Sequence, residues 1–218
     1  MKTVALIQAR LGSTRFPRKA LADFGGRPLL AQVFRAAQQI RGVDQVVVLT
    51  VPEDALEIAQ ALAVEGARVV APYGVAEADV LGRFAAYLSQ DMRAQTVVRL
   101  TGDCPCLDPE VCSDVVALQR TRGGYAWTDT ALGVWPDGYD CEVMSRHLVL
   151  EAHRATRDAA DREHVTPWIR RRASVVASLA PVAWPEWPGK VSVDTPEDLA
   201  RALAWWQRQR HGRMVRCD

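Results

Sequence analysis

The residues best suited to chemistry lie in a short basic segment that follows the first apolar run of the chain. Four cations and no acid occupy positions 10–19, namely Arg10, Arg15, Arg18 and Lys19. Gly12 permits unusual backbone angles, and Ser13 and Thr14 add hydroxyl groups. Backbone N–H groups and cationic side chains at the end of a strand together form a cradle for anions. A polyphosphate is the predicted ligand, because several fixed cations are needed to hold one; a solvated basic turn is the alternative.

Two carboxylates are predicted to lie beside this basic segment. Asp103 follows a strand predicted at 95–100, and Asp194 ends a strand predicted at 190–193. Ligand sites in open parallel sheets collect at the carboxyl ends of the strands. Mg²⁺ is held in proteins by one or two carboxylates and keeps several waters. The two acids therefore predict a magnesium site next to the basic segment, whereas either acid alone could be only a helix cap or a turn residue.

Other chemistries are less well supported by the sequence. The Gly-rich sequences typical of P-loop kinases and of dinucleotide-dependent oxidoreductases are missing. Cys104, Cys106 and Cys112 could bind zinc, but their spacing matches no standard zinc motif and no histidine is near. Cys104 as a nucleophile would need a partner base that the sequence does not place. Zinc binding and thiol catalysis are therefore minor alternatives.

Composition excludes several classes of protein. The 218 residues contain 27 Lys and Arg against 26 Asp and Glu, so the chain lacks the basic excess of a protein that binds nucleic acid through bulk charge. Its 49% hydrophobic and 24% charged residues are typical of a globular protein. No apolar run reaches the roughly 20 residues of a membrane span. The five cysteines are an odd number, which favours free thiols in a reducing cytoplasm.

Apolar periodicity predicts alternating strands and helices in the first half of the chain. Four short apolar runs predict strands at 3–9, 45–50, 67–70 and 95–100. Amphipathic segments between them predict helices at 28–41, 53–65 and 78–90, the second with Leu56, Ala59, Leu62 and Ala63 facing the core. Strands that are apolar throughout and separated by helices are typical of a mostly parallel sheet covered on both faces.

The second half of the chain is less regular. Asp108 and Pro109 predict the start of a helix, and Thr195 with Asp198 predicts the capped start of the last one. Strands are predicted at 125–128, 139–144 and 190–193, helices at 146–154 and 162–172, and a loop at 184–189. Because there is no repeat or long linker, the chain is predicted to be one domain spanning residues 1–218.

Six segments in order along the chain resemble the cytidylyltransferases that synthesise CMP–sugar acids. The segments are residues 7–19, 79–84, 99–105, 138–143, 162–167 and 193–199. The resemblance extends from residue 4 to about residue 200 and is strongest to the branch called spore coat polysaccharide biosynthesis protein F. Arg18 departs from the family, which usually has glycine before the lysine. This arginine could alter the backbone of the loop or add a phosphate contact.

The resemblance implies a three-layer α/β/α fold of the glycosyltransferase-A-like nucleotidyltransferase type, with a mostly parallel mixed sheet. It implies an enzyme that uses CTP and Mg²⁺ to activate a sugar acid for surface polysaccharide synthesis and releases pyrophosphate. By match, Arg10, Lys19 and Asp103 are the expected catalytic residues, and Asp103 and Asp194 the expected metal ligands. The expected nucleotide contacts are Arg10, Gly12, Ser13, Arg15, Lys19, Gly74 and Asp103. The relatives suggest a homodimer; no nucleic acid or membrane partner is expected.

The acceptor is expected to bind within residues 139–172, which are also a candidate dimer contact. Asp140 and Glu142 alternate on a predicted strand, so both could face acceptor hydroxyls or simply form an exposed surface. His164 could contact the acceptor or help to deprotonate it, and Arg83 could meet its carboxylate or the nucleotide; ordinary helix-surface positions are the alternatives. The base is expected near residues 72–74, where no donor–acceptor pattern distinguishes cytosine.

Two other functions fit the same pattern. A glycosyltransferase on this fold would use a finished nucleotide sugar, but the usual Asp-x-Asp metal motif is missing at Asp103-Cys104-Pro105. A non-catalytic nucleotide-binding protein would keep the fold, and Arg18 is the one sequence feature that favours it. The cytidylyltransferase is the main prediction, because the basic segment, the two acids and the six matching segments agree.

Overall fold

The computed structural model describes residues 2–180 and 189–214, with side chains up to residue 209. Within these residues the strands are β1 (Lys2–Gln8), β2 (Gln45–Leu49), β3 (Arg68–Val70), β4 (Ala94–Thr101), β5 (Tyr125–Trp127), β6 (Glu142–Ser145) and β7 (Val176–Ser178). They form one sheet in the order β3-β2-β1-β4-β6-β5-β7. Strands β1 to β4 run parallel, β6 is antiparallel to β4 and β5, and β7 is parallel to β5. The predicted mostly parallel mixed sheet is confirmed.

Helices cover both faces of this sheet. The α-helices of the described residues are α1 (Leu29–Gln38), α2 (Pro52–Ala61), α3 (Val80–Gln90), α4 (Pro109–Arg122), α5 (Arg146–Ala155), α6 (Ala159–His164), α7 (Pro167–Arg172) and α8 (Pro196–Met214). Ala5 and Ile7 of β1 belong to a core shared with α1, α2, α4 and α8. Val4 and Leu6 point the other way, into a core shared with α3, α5 and α7. Alternation along one buried strand therefore produces the three predicted layers.

The carboxyl ends of β1 and β4 lie side by side and define one edge of the sheet. Gln8 pairs in register with Thr101, so the loops that follow the two strands leave the sheet together. The backbone N–H of Val193 donates to the carbonyl of Asp103 at 2.9 Å. This contact brings Asp194 to the same edge, where the basic segment also begins.

Both predicted helix starts are confirmed. The Asp108 side chain accepts a hydrogen bond from the N–H of Glu110 at 2.8 Å, ahead of Pro109 in the first turn of α4. At α8 the Asp198 N–H donates to the Thr195 hydroxyl at 3.3 Å, and the Thr195 N–H donates to the Asp198 carboxylate at 3.1 Å. This reciprocal pair satisfies N–H groups that a helix start would otherwise leave free.

The strand predicted at 190–193 is wrong. The N–H groups of Val191 and Ser192 both donate to the carbonyl of Asp137, which lies in a loop, so no ladder forms. The strand predicted at 139–144 begins only at Glu142. Strand β7 was not predicted; it has only three residues, which are half-exposed or exposed. Most of the loop predicted at 184–189 lies outside the described residues.

Two helix predictions also need correction. The segment 162–172 contains parts of two helices, because Val165 leaves helical geometry and Pro167 has no N–H to continue the ladder. In α2 the core residue is Ile58, with Leu62 following at the helix end, whereas Leu56 is 71% exposed. Leu56 precedes Ile58 by two positions, which places it on roughly the opposite side of the helix.

Candidate active site

A cavity of about 390 Å³ lies at the sheet edge formed by β1 and β4. The loop after β1, the start of α3 and the end of α6 complete its walls. It is lined by eight of the residues predicted from the sequence, which are Arg10, Ser13, Arg15, Lys19, Arg83, Asp103, His164 and Asp194. Four other predicted residues do not line it: Gly12, Gly74, Asp140 and Glu142.

Lys19 connects the two predicted metal ligands. Its ammonium group donates to Asp103 Oδ2 at 2.8 Å, to Asp194 Oδ1 at 3.0 Å and to the carbonyl of Val193 at 2.7 Å. Partial burial alone would lower the pKa of Lys19, but the charges of the two carboxylates and their hydrogen bonds outweigh it and raise that pKa. The lysine is therefore held as a cation between two anions.

Asp194 is held as an anion by three neighbouring cations. Besides Lys19, it is contacted by Lys190 at 2.7 Å and by Arg15 at 3.0 Å. Burial would raise the pKa of Asp194, but hydrogen bonds from Lys190 and Lys19 and their charges prevail and lower it to about 2. The carboxylate is therefore ionised at neutral pH.

The chemistry of these donors fits a hard divalent cation. Asp103 and Asp194 place carboxylate oxygens around one positive centre, the ammonium of Lys19. Across the described residues, no group of three or more His, Cys, Asp or Glu side chains could hold a metal ion. A cation at the two carboxylates would take its remaining ligands from water and from phosphate oxygens, which is the usual arrangement for Mg²⁺.

Helix α2 holds the basic segment in place from outside the cavity. The Leu11 N–H donates to the Asp54 carboxylate at 2.7 Å, and the Leu11 carbonyl accepts the N–H groups of Ser13 and Arg18 at 2.9 and 3.0 Å. The Arg18 guanidinium pairs with Glu57 of α2, and Arg18 itself has left-handed angles, with φ of 61°. Arg18 therefore occupies a backbone conformation that favours glycine, and its side chain points toward α2.

Glu77 lies over the start of the basic segment. Its carboxylate accepts a hydrogen bond from Arg10 at 2.7 Å. A Cβ added at Gly12 would come within 3.1 Å of the same Glu77 oxygen, so this oxygen also faces the loop backbone. Gly74, with φ of 74°, lies earlier in the same exposed loop. No neighbouring atom lies within 4 Å of the position that a Cβ would take there.

Arg83 is a buried cation in the cavity wall. It is 2% exposed and donates to the carbonyls of Ala76 and Glu77 at 3.2 and 2.7 Å. Its Nε has no hydrogen-bond partner among the described residues. Burial and the neighbouring charge of Arg10 lower the pKa of Arg83. An anion that entered the cavity could supply the missing partner.

Asp140 and Glu142 take part in internal networks. Asp140 accepts from the Thr130 hydroxyl at 2.7 Å and from the Gly138 N–H at 3.0 Å, and burial is the main reason that its pKa is raised. Glu142 is 6% exposed and is bound by Arg99 as well as by Tyr125 and Thr166. Burial opposes its ionisation, but the charge of Arg99 and the hydrogen bonds lower its pKa.

Helix α6 brings Glu163 and His164 to the cavity. Arg162 forms a two-pronged ion pair with Asp79, and the Asp79 carboxylate also accepts the N–H of Gly82 at 2.8 Å at the start of α3. Two elements far apart in sequence are thereby joined at the cavity rim. The pair holds the helix that carries Arg83 against the helix that carries His164.

Six further polar residues line the cavity and were not predicted as site residues. These are Gln8, Thr14, Glu77, Arg99, Thr101 and Glu163. Arg99 Nε donates to Gln8 Oε1 at 3.0 Å, across neighbouring strands. An arginine and a glutamine within otherwise apolar strands are a signal that could have been used, because buried strands rarely carry them without a partner. Glu77 lies in an irregular loop, where no local pattern marks it.

The structure gives no support to the cysteine alternatives. Cys104, Cys106, Cys112 and Cys141 are free and buried, while Cys217 lies outside the described residues. Burial raises the pKa of Cys106 to about 12 and that of Cys104 well above its usual range, so neither is a thiolate at neutral pH.

Among the described helices, none has the length and apolar character needed to cross a membrane.

Comparison with known proteins finds relatives that match most of the chain. A family model described as cytidylyltransferase matches residues 4–200. The spore coat polysaccharide biosynthesis protein SpsF of Bacillus subtilis (strain 168) is 30% identical over 214 residues, which cover 93% of this chain and 85% of that protein.

Solved structures agree on the fold. A cytidylyltransferase from Leptospira borgpetersenii serovar Hardjo-bovis (strain JB197) has a TM-score of 0.80 at 25% identity, over 91% of this chain and 84% of its own. CMP:2-keto-3-deoxy-manno-octonic acid synthetase, solved in complex with CTP, has a TM-score of 0.73 at 18% identity, over 96% of this chain and 100% of its own. The predicted nucleotidyltransferase fold is confirmed, and the chain belongs to the cytidylyltransferase family of enzymes.

Proposed function

We propose that this cytidylyltransferase uses CTP to activate a sugar acid for a surface polysaccharide, and that it releases pyrophosphate. The observation that carries the proposal is one cavity with a basic loop, two carboxylates and a buried arginine on its walls. The names of the relatives support the two substrates. One relative is assigned to spore coat polysaccharide synthesis, and a protein of the same fold is a CMP–sugar-acid synthetase solved with CTP.

The triphosphate would bind along the basic loop. Arg10, Arg15 and Lys19 bring three cations to the cavity, and Ser13 adds a hydroxyl group. Gly12 itself does not line the cavity, and a side chain there would crowd the Glu77 carboxylate, which lies 3.1 Å from the Cβ position. Fixed positive charges at this edge would stabilise the extra charge that develops on the transferring group and on the leaving pyrophosphate.

The transfer would be a direct displacement at the α-phosphorus. An acceptor hydroxyl attacks in line with the leaving pyrophosphate, so no covalent enzyme intermediate is needed, and holding the two substrates in line supplies much of the rate enhancement. Asp103 and Asp194 would hold a Mg²⁺ ion, which when bound supplies Lewis-acid neutralisation of phosphate charge. His164 faces the cavity and would accept the hydroxyl proton.

The sugar acid would bind on the side of the cavity formed by α3 and α6. Arg83 is the group suited to its carboxylate, because its buried Nε has no partner among the described residues. A guanidinium binds a carboxylate through paired hydrogen bonds, which favours an acid over a neutral sugar. Residues 139–172 contribute Glu163 and His164 to this side, which supports an acceptor-binding role for that segment.

The test is pyrophosphate release from CTP and Mg²⁺ with a panel of sugar acids that includes 3-deoxy-manno-octulosonate. Asp103→Ala should abolish release and keep the thermal unfolding transition, whereas Asp114→Ala, an exposed acid on α4, should leave the rate unchanged. Release by Asp103→Ala at the wild-type rate would contradict the site. CTP binding without pyrophosphate release for any acid would favour a non-catalytic protein, and sugar transfer from a nucleotide sugar would favour a glycosyltransferase.

A further inference from the structure

The chain makes an unusual turn immediately after His164. Val165 has φ of 70° and ψ of −53°, and the Thr166 N–H donates to the His164 carbonyl at 2.8 Å. This three-residue γ-turn is rare and strained. Positive φ is costly for a β-branched residue, whose Cβ crowds the backbone. Such strain persists only where the surrounding structure imposes it, and it is concentrated at functional sites.

Two contacts impose the turn. The Val165 side chain is fully buried in the core that also contains Val149 and Ile169. The Thr166 hydroxyl, in a residue 1% exposed, donates to Glu142 Oε1 at 2.6 Å. Glu142 lies on β6, so this hydrogen bond ties the turn to the central sheet.

Glu142 also connects the turn to the floor of the cavity. Its Oε2 forms an ion pair with Arg99, and Arg99 lines the cavity together with Gln8. One carboxylate therefore fixes Arg99 on the floor and, through Thr166, the turn that presents His164 on the wall. Both oxygens of Glu142 are bound to protein groups, which leaves it poorly placed to bind acceptor hydroxyls.

We propose that Thr166 and Glu142 act as a positioning pair, which keeps the strained turn closed and holds His164 over the cavity opposite Arg99. Thr166 touches neither substrate and acts through the geometry of its neighbour. The inference rests on the proposed function only in giving His164 a role toward the acceptor. The placement of His164 itself can be measured without any substrate.

Thr166→Val tests the pair, because valine keeps the shape and removes the hydroxyl donor. Thr166→Ser keeps the donor and should restore the wild-type behaviour. The matched control is Thr156→Val, which removes a buried hydroxyl bond of 2.8 Å to Asp161 at the other end of α6. Loss of either bond should destabilise the fold to a similar degree, but only loss of the Thr166 bond should release the turn.

The first measurement is the imidazole NMR spectrum of the free protein, with the His164 signal assigned by its loss in His164→Gln. Thr166→Val should shift or broaden that signal, while Thr156→Val and Thr166→Ser leave it in place. The second is pyrophosphate release with 3-deoxy-manno-octulosonate. There Thr166→Val should lower kcat/KM for the acid about ten- to hundredfold, as small misplacements in active sites do, with KM for CTP within about twofold of wild type.

An unchanged His164 signal in Thr166→Val would overturn the proposal, and so would equal changes in Thr156→Val. Wild-type kcat/KM in Thr166→Val would also overturn it. If the wild-type protein turns over no sugar acid, the proposed function fails, and the NMR comparison still decides whether the positioning pair exists.

Discussion

Replacing Lys19 by methionine should strengthen the binding of a divalent cation to the nucleotide-free protein and weaken the binding of CTP. The Lys19 ammonium contacts Asp103 and Asp194 at 2.8 and 3.0 Å, so it occupies the position between the two predicted metal ligands. A cation that binds there must displace the ammonium first. A triphosphate would draw the ammonium toward its own oxygens, so nucleotide and metal are expected to bind cooperatively in the wild type.

The size of the effect follows from the contacts. A hydrogen bond to a charged group contributes about 1.5–3 kcal/mol, and Lys19 is only 15% exposed, so solvent screens it weakly. Asp194 keeps Lys190 at 2.7 Å and Arg15 at 3.0 Å in the variant, so the gain comes mainly from Asp103. One contact of about 1.5–3 kcal/mol corresponds to roughly a ten- to hundredfold gain in metal affinity.

Isothermal titration of the free protein with Mn²⁺ or Mg²⁺ measures this effect. Lys190→Met is the matched control, because Lys190 contacts Asp194 and Asp198 at 2.7 and 3.3 Å but not Asp103, and its gain should be smaller. A second titration with CTP should show weaker binding for Lys19→Met. Unchanged or weaker metal binding by Lys19→Met would refute the assignment of the two carboxylates to one metal ion.

Three more predictions follow from the same contacts. Glu77→Gln should tighten CTP binding about two- to fivefold, since it removes an exposed ion pair in which a carboxylate competes for Arg10. Arg18→Gly should change CTP affinity less than twofold and stability by less than about 1 kcal/mol, because relief of left-handed strain offsets the lost pair with Glu57. Asp194→Asn should remove about 1–2 kcal/mol of stability at pH 7. The pKa of Asp194 is about 2 in the folded protein and about 3.9 in the unfolded chain. The stability that this carboxylate contributes is therefore present above pH 4 and lost as the pH falls toward 2.

Calorimetric titration with CTP tests the two affinity predictions. Urea unfolding tests the stability predictions, at pH 7 for Arg18→Gly and between pH 2.5 and 7 for Asp194→Asn. Weaker binding by Glu77→Gln would mean that this carboxylate is a ligand and not a competitor. A loss of more than about fivefold in Arg18→Gly would show that the arginine contacts phosphate. An Asp194→Asn protein whose stability falls as steeply as that of the wild type below pH 4 would contradict the low pKa.

Local features of the sequence were sufficient for the fold class and for most of the cavity. Buried strands are apolar throughout and helices are amphipathic, so their order predicts a parallel sheet without knowledge of the contacts. The basic segment and Asp103 directly follow strands β1 and β4, and parallel strands end at a common edge. The basic segment and Asp103 were therefore predicted to lie together, and both line the cavity.

Predictions failed where a neighbour in space decided the outcome. Residues 190–193 have the pattern of a strand, but loop carbonyls such as that of Asp137 accept their N–H groups and no neighbouring strand does. Glu142 has the pattern of an exposed strand residue, but Arg99 of the adjacent strand β4 and Thr166 beyond α6 bury and bind it. Such partners lie many residues away, so their pairing leaves no local periodic signal.

The sequence by itself determined which groups are present and at which edge of the sheet they lie. Their chemical state and orientation were decided by the tertiary structure, because each depends on distant partners. Lys19 is a cation shared by two carboxylates that are 84 and 175 positions away. His164 is presented by a strained turn that packing and one hydrogen bond to β6 enforce. Electrostatic and steric contacts of this kind act over a few ångströms in space, and the linear order of residues does not reveal them.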